Sequence, residues 1–162
     1  MIFEKQGNIY QLSSAIKLPI DIERAWNFLS DPSNLKEITP PYMGFDIVSD
    51  IGSEMYAGQI IGYKVSPMFG LKLNWVTEIS HVDEPNYFVD EQRFGPYALW
   101  HHKHFLKEIS KGVEMTDIVH YKLPFSIIAN GLHNTLVKPK LMEIFNYRTS
   151  KLLDLFGSYE VS

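Results

Sequence analysis

Hydrophobic and polar residues alternate from Tyr10 to Leu18, with Tyr10, Leu12, Ile16 and Leu18 on one side. A period of two with one apolar side marks a half-buried strand, over 8–18, and Pro19 ends it. The period then changes. Ile22, Ala25, Trp26 and Leu29 recur at helical spacing behind Asp21, whose carboxylate suits an N-cap, which predicts a helix over 21–29. Ser30-Asp31-Pro32 breaks that helix and starts a second short one over 33–37, because proline fits a first helical turn. Thr39-Pro40-Pro41 stops it, since each proline pushes the preceding residue away from helix. From 45 to 123 the pattern predicts strand after strand: 45–49, 59–65, 71–79, 87–94, 97–109 and 113–123, separated by turn residues at meander spacing. In the strand near 71–79, Leu71, Leu73, Trp75, Thr77 and Ile79 share a side. Gly58 and Gly62 are candidate bulge or bend positions. After Pro124 the period is helical again. Leu141, Ile144, Phe145, Arg148, Leu152, Leu155 and Phe156 form one stripe of a long helix over 134–156, with Pro139 near its start and Gly157 at its end.

The predicted order is one strand, two short helices, six strands and one long helix, all in a single domain over residues 1–162. A seven-stranded antiparallel sheet must bury one face, and the stripe of the long helix has nothing else large to pack on. A curved sheet gripping that helix satisfies both, with the short helices as a roof. This α+β arrangement leaves a cavity between sheet and helix, a common place for a small-molecule site.

Composition narrows the partners. The chain has 162 residues, no cysteine and a formal net charge of -4. Disulfides, thiolate metal sites and cysteine nucleophiles are excluded. No Lys/Arg run supplies an electrostatic footprint for nucleic acid. No apolar stretch approaches the length of a membrane span, and the N-terminus reads as no secretory leader, so the expected location is cytoplasmic. Nine Tyr, ten Phe and three Trp suit either a dense core or an aromatic-lined cavity.

Several local motifs accompany this element order: Leu29-Ser30-Asp31-Pro32-Ser33-Asn34-Leu35 with Ile38-Thr39-Pro40-Pro41, then Trp75-Val76-Thr77-Glu78-Ile79 and Phe88-Val89-Asp90-Glu91-Gln92. Gly95-Pro96-Tyr97 follows with Trp100, His102, His104 and Phe105. Met115-Thr116-Asp117, Tyr121-Lys122-Leu123-Pro124-Phe125 and Ile144-Phe145-Asn146-Tyr147-Arg148 complete the set. Over essentially its whole length the chain resembles the START-like, helix-grip superfamily, also called SRPBCC and shared with the pollen-allergen and polyketide-cyclase families. More narrowly it is similar to bacterial ligand-binding SRPBCC domain proteins, some of them labelled cell-division-inhibitor-like. The resemblance implies a hydrophobic-cavity binding fold. Lipid and sterol carriers, cyclases, hydrolases and quinone-binding proteins share that fold, so it does not choose among them.

The candidate chemistry sits in Trp100-His101-His102-Lys103-His104. Alternation puts Trp100, His102 and His104 on one side and His101 and Lys103 on the other. If Ser110-Lys111 is a two-residue hairpin loop, Ile109 pairs with Gly112. His104 then lies opposite Asp117, His102 opposite Val119, Trp100 opposite Tyr121, and His101 opposite His120 on the outer face. Met115, Val119, Tyr121 and Leu123 make the Asp117 side the more apolar, so that side is expected to face the cavity. Across Gly95-Pro96, Asp90 can approach His102, and Gln92 can approach Trp100. Arg148 on the helix stripe needs a carboxylate, from a ligand or the sheet, unless its stem only covers core edge. Trp75 reads as core that can also touch a ligand, while Tyr63 and Met68 are candidates for the mouth.

The expected ligand-binding residues are therefore Trp75, Asp90, Gln92, Trp100, His102, His104, Asp117, Tyr121 and Arg148. The expected partner is a small hydrophobic or amphipathic molecule, with no cofactor. His104 with Asp117 is the candidate acid–base pair of a rival, cyclase- or hydrolase-like enzyme, and a third reading is a ligand-responsive regulator. His102, His104 and Asp117 are a weak metal signature, and the expectation is no metal. No Gly-x-Ser-x-Gly elbow, phosphate loop, His-Glu-x-x-His or dinucleotide fingerprint occurs.

Overall fold

The computed structural model describes residues 1–66, 71–124, 131 and 133–160. Met68 and Phe125 lie outside the described residues. One antiparallel sheet holds β1 (Ile2–Gln6), β2 (Ile9–Leu18), β3 (Asp46–Ile47), β4 (Gln59–Val65), β5 (Leu73–Asp83), β6 (Tyr87–Phe94), β7 (Leu99–Ile109) and β8 (Gly112–Lys122). The spatial order is β1-β2-β8-β7-β6-β5-β4-β3. β3 to β8 form the expected meander. The chain crosses from β2 to β3 through α1 (Ile22–Leu29) and two 3-10 turns, Pro32–Lys36 and Pro41–Met43. A π-helical turn over His133–Val137 leads into α2, Lys138–Phe156.

The sheet has eight strands, not the seven expected. The extra one is β1, folded back on β2 through the two-residue Gly7-Asn8 loop, with Gly7 at a φ of 63°. Its side chains are mostly exposed, Ile2 among them, so an edge ribbon of this kind shows no inward apolar row in the sequence. β5 also differs from expectation. It begins at Leu73 and runs to Asp83, and Leu71 and Leu73 are exposed rather than sharing the buried side of Trp75, Thr77 and Ile79. The short Pro41–Met43 turn was not expected either; Pro40 and Pro41 end one turn and open the next.

Caps hold the crossover as read. Asp21 Oδ1 accepts from Arg24 N at 2.7 Å, and Asp31 Oδ1 accepts from Ser33 N at 2.9 Å and from Ser33 Oγ at 2.6 Å. Pro139 lies in the first turn of α2, where its missing N–H costs nothing, and Gly157 ends the helix at a φ of 89°.

The sheet curls around α2. Leu141, Phe145, Arg148 and Leu152 are the buried stripe of that helix. Leu141 and Phe145 pack with Leu12, Val119 and Tyr121. Leu152 packs with Leu18, Trp26, Val113 and Met115, so Trp26 is core as expected. Farther along, Ile61, Tyr63, Val65, Trp75 and Ile79 form a separate apolar layer under the 3-10 turns. The gap between this layer and α2 is the cavity.

The β7–β8 hairpin sets what faces it. Ser110-Lys111 is the loop, and Ile109 pairs with Gly112. A side chain at residue 112 is impossible without movement, because its Cβ would stand 2.2 Å from the Leu18 carbonyl oxygen. That close approach locks the end of the hairpin, and with it the register of every histidine on β7. β8 alternates without a break: Val113, Met115, Asp117, Val119 and Tyr121 are buried and the residues between them are not.

Candidate functional site

Register brings four ionisable side chains to one spot. His104 lies opposite Asp117 across β7–β8, and Asp90 lies opposite His102 across β6–β7. All project to the buried face, where long side chains also reach diagonal neighbours. His102 Nε2 donates to Asp117 Oδ1 at 3.1 Å, and its Nδ1 stands 3.4 Å from Asp90 Oδ2. His104 Nε2 donates to Asp90 Oδ2 at 2.8 Å. Its Nδ1 lies 2.9 Å from Asp117 Oδ1, but off the hydrogen-bond axis, so that contact is ionic rather than a formed hydrogen bond. The result is a closed ring of alternating carboxylate and imidazole. From α2, Arg148 Nη1 reaches both Asp117 oxygens at 3.2 Å, so this inward arginine is paired with a sheet carboxylate.

Packing fixes the ring members. The two imidazoles lie 3.7 Å apart, and Phe88 stacks on His104 at 4.2 Å and 16°. Phe145 of α2 approaches His102 at 5.9 Å. The Asp117 side chain is 5% accessible and the imidazoles 6%, while that of Asp90 is 18%. Asp117 is sealed beneath the ring. Asp90, His102 and His104 line the cavity.

Burial and charge compete in this ring. Burial alone would raise the pKa of Asp117; the Arg148 guanidinium, with His102 and His104, overcomes it and holds the carboxyl well below its usual range. Asp90 is likewise lowered, burial being outweighed by the two imidazoles and Arg148. The histidines separate. Burial and the neighbouring His104 lower His102, against the pull of Asp90 and Asp117. His104 is raised, because the Asp117 and Asp90 carboxylates on its two sides outweigh its burial.

The rest of the cavity is mostly apolar, with Asp31, Thr39 and Thr77 also in its lining, and its volume is about 150 Å³. Leu29, Leu35 and Ile38 come from the roof, Ile61 and Ile79 from the sheet, and Leu141 and Phe145 from α2. Trp75 and Trp100 meet edge to face at 5.5 Å and 89° and form an aromatic corner with Tyr97. Tyr63 also lines the space, with its hydroxyl pKa raised by burial and by Asp90.

Of the residues singled out in the sequence, Trp75, Asp90, Trp100, His102, His104 and Arg148 meet at this cavity. Asp117 reaches it only through the imidazoles and Arg148. Tyr121 does not line it: its hydroxyl pairs with His133 Nε2 at 2.8 Å, and His133 stacks on Tyr10 at 3.6 Å. Gln92 does not line it either. It braces the Gly95-Pro96 turn, donating from Nε2 to Tyr97 O at 2.7 Å and accepting from Tyr97 N at 3.2 Å. His101 pairs with Glu91 at 2.8 Å on the outer face and lies 6.2 Å from His120. Sequence reasoning missed Tyr97 and the roof residues Phe28, Leu35 and Met43. Tyr97 follows a Gly-Pro turn and breaks strict alternation with Trp100, so only proximity to the histidine run marked it.

The fold is shared with solved structures. It is a helix grip, and its solved structural neighbours are SRPBCC/Bet v1-like proteins. The chain superposes on ginseng major latex-like protein 151 from Panax ginseng with a TM-score of 0.68 at 13% identity, over 93% of this chain and 99% of that one. A protein from Arthrobacter aurescens gives 0.69 at 14% identity, over 94% and 91%. The di-domain ARO/CYC BexL from the BE-7585A biosynthetic pathway gives 0.70 at 12% identity, over 94% of this chain and 52% of that chain, so the match spans about half of BexL. At these identities the likeness is one of fold. No protein-family model and no curated protein matches the sequence. No described helix is long and apolar enough to cross a membrane.

Proposed function

We propose that the protein binds a small, largely apolar molecule in the cavity between sheet and α2, with the Asp90–His102–His104 wall orienting a polar group on it. The observation that carries this reading is an apolar cup with polar groups converging on one wall, the usual design of a small-molecule site. Its size limits the occupant. A cavity of about 150 Å³ holds a single aromatic ring. The space therefore favours a one- or two-ring compound, or a short chain of similar bulk, over a sterol or a two-chain lipid.

Binding is favoured over acid–base catalysis by His104 and Asp117. His104 Nε2 is hydrogen-bonded to Asp90 at 2.8 Å and its Nδ1 faces the buried Asp117 at 2.9 Å, so a substrate would have to displace a carboxylate to exchange a proton with it. Native mass spectrometry with solvent extraction of the protein from its own source tests the reading, followed by titration with 2-naphthol read by tryptophan emission. Trp75 and Trp100 line the cup, so occupancy changes their emission saturably. An empty extract together with no saturable change for naphthol, indole or a short-chain acid overturns the proposal.

A further inference from the structure

Three ligand atoms on the polar wall converge on one point. Asp90 Oδ2 stands 2.8 Å from His104 Nε2 and 3.4 Å from His102 Nδ1, and all three atoms lie within 4.8 Å of one another. Ligand atoms around a tetrahedral ion with bonds of about 2.0–2.2 Å are separated by roughly 3.3 Å. The two edges at Asp90 bracket that value and the third is no longer than 4.8 Å, so an ion would be seated by moving the Asp90 carboxylate off its hydrogen bond to His104.

The far side of His102 is already arranged as a metal site needs, and that of His104 faces the same carboxylate without a formed hydrogen bond. A ligating histidine must keep its other N–H on an acceptor that fixes its tautomer and tilt. Here both imidazoles turn that other nitrogen, His102 Nε2 and His104 Nδ1, to the same Asp117 oxygen at 3.1 and 2.9 Å. Arg148 holds Asp117 in place from α2. Charge agrees with this division. Asp117 is committed to a guanidinium, which repels a cation from its side of the ring. Asp90 has no arginine or lysine contact among the described residues and opens to the cavity.

We propose that Asp90 Oδ2, His102 Nδ1 and His104 Nε2 bind one divalent transition-metal ion, zinc or ferrous iron by class, at the polar wall of the cavity. Two imidazoles and one carboxylate are the donors that such ions take, and three protein ligands leave a coordination position free toward the apolar cup. That position would take water or an oxygen atom of the cavity's ligand. The metal site itself needs no organic ligand. A metal titration without any organic compound therefore tests it separately from the binding function.

The experiment uses the full chain stripped with EDTA and titrated with Zn²⁺ by calorimetry, then with Co²⁺ by visible absorption. The expected result is one ion per folded chain, with a Kd of about 1 µM or tighter, and cobalt bands of four- or five-coordinate N/O ligation. Asp90→Asn, nearly isosteric and at the cavity edge, should weaken binding at least about tenfold, and Asp117→Asn by about 10- to 100-fold. Circular dichroism checks that both remain folded. A wild-type readout needs no variant: in ¹⁵N spectra, Zn²⁺ removes the proton from His104 Nε2 and shifts His102 Nδ1, while His102 Nε2 stays protonated. His101→Ala/His120→Ala, on the outer face, should bind as the wild type does. Failure of the folded wild type to take up a stoichiometric ion overturns the proposal. So does binding that Asp90→Asn leaves unchanged, or that the outer-face double variant abolishes.

Discussion

Replacing Arg148 by methionine removes the guanidinium and keeps most of the stem. Arg148 is 8% exposed and Asp117 4%, so water cannot replace the lost partner of Asp117. Breaking a buried ion pair from one side costs about 3–5 kcal/mol, mostly because a buried charge is left uncompensated. Two imidazoles remain within 3.1 Å of Asp117, which places the expected cost near the lower end, about 3 kcal/mol. For a chain of this size that corresponds to a fall of roughly 6–12 °C in Tm. The assay is urea unfolding followed by tryptophan emission and circular dichroism, on Arg148→Met, Asp117→Asn and the double variant. The double variant loses both charges at once, so its cost should fall short of the sum of the singles by about 2 kcal/mol. A loss below about 1 kcal/mol for Arg148→Met, with additive behaviour in the cycle, would refute the reasoning. Arg148 would then act only as an apolar stem at the edge of the core.

Three further outcomes follow from other parts of the molecule. Ile61 is 1% exposed and lines the cup, so Ile61→Trp should fill it and weaken 2-naphthol binding at least about tenfold while the chain stays folded; unchanged titration curves would place the ligand elsewhere. Gly112→Ala should cost about 1–3 kcal/mol in urea unfolding, because its methyl would meet the Leu18 carbonyl oxygen at 2.2 Å, and a wild-type midpoint would show that the hairpin end yields freely. Asp21→Ala should cost about 1 kcal/mol by losing the 2.7 Å cap of α1, whereas Asp21→Asn should recover most of it.

Alternation and turn chemistry made much of this molecule legible. The Ser110-Lys111 loop fixed the β7–β8 register, and that register placed His104 opposite Asp117, Trp100 opposite Tyr121, and His101 opposite His120. Register alone did not give the contacts that matter most. His102 reaches Asp117, and His104 reaches Asp90, along diagonals that depend on rotamers and on the curl of the sheet. Tyr121 shares the inward side with Asp117, yet its length carries the hydroxyl to His133, a residue that the helical pattern left unmarked. β1 was missed because an exposed edge strand needs no apolar row, and Leu71 misled because alternation continues past the point where the strand begins. The roof depends on how the 3-10 turns fold over the sheet, a tertiary arrangement with no period to read.

Stability does not account for the charged ring at the cavity. A buried ionic network typically gains nothing over well-packed apolar residues of similar volume, and often loses by about 1–4 kcal/mol. The same strands show the apolar solution on either side. Val113 and Met115 lie before Asp117 on β8 and Val119 after it, all essentially inaccessible, and Leu106 follows His104 on β7. The polar residues interrupt these rows beside the cavity, which His102 and His104 line, and where Asp117 meets Arg148 of α2. Asp117 does not line the cup; held by Arg148, it fixes the imidazoles that do. A sealed inner carboxylate, two oriented imidazoles and one outer carboxylate open to an apolar space form a directional device. Its cost to folding is intelligible if something polar, an ion or an oxygen of the bound molecule, is held at Asp90, His102 and His104.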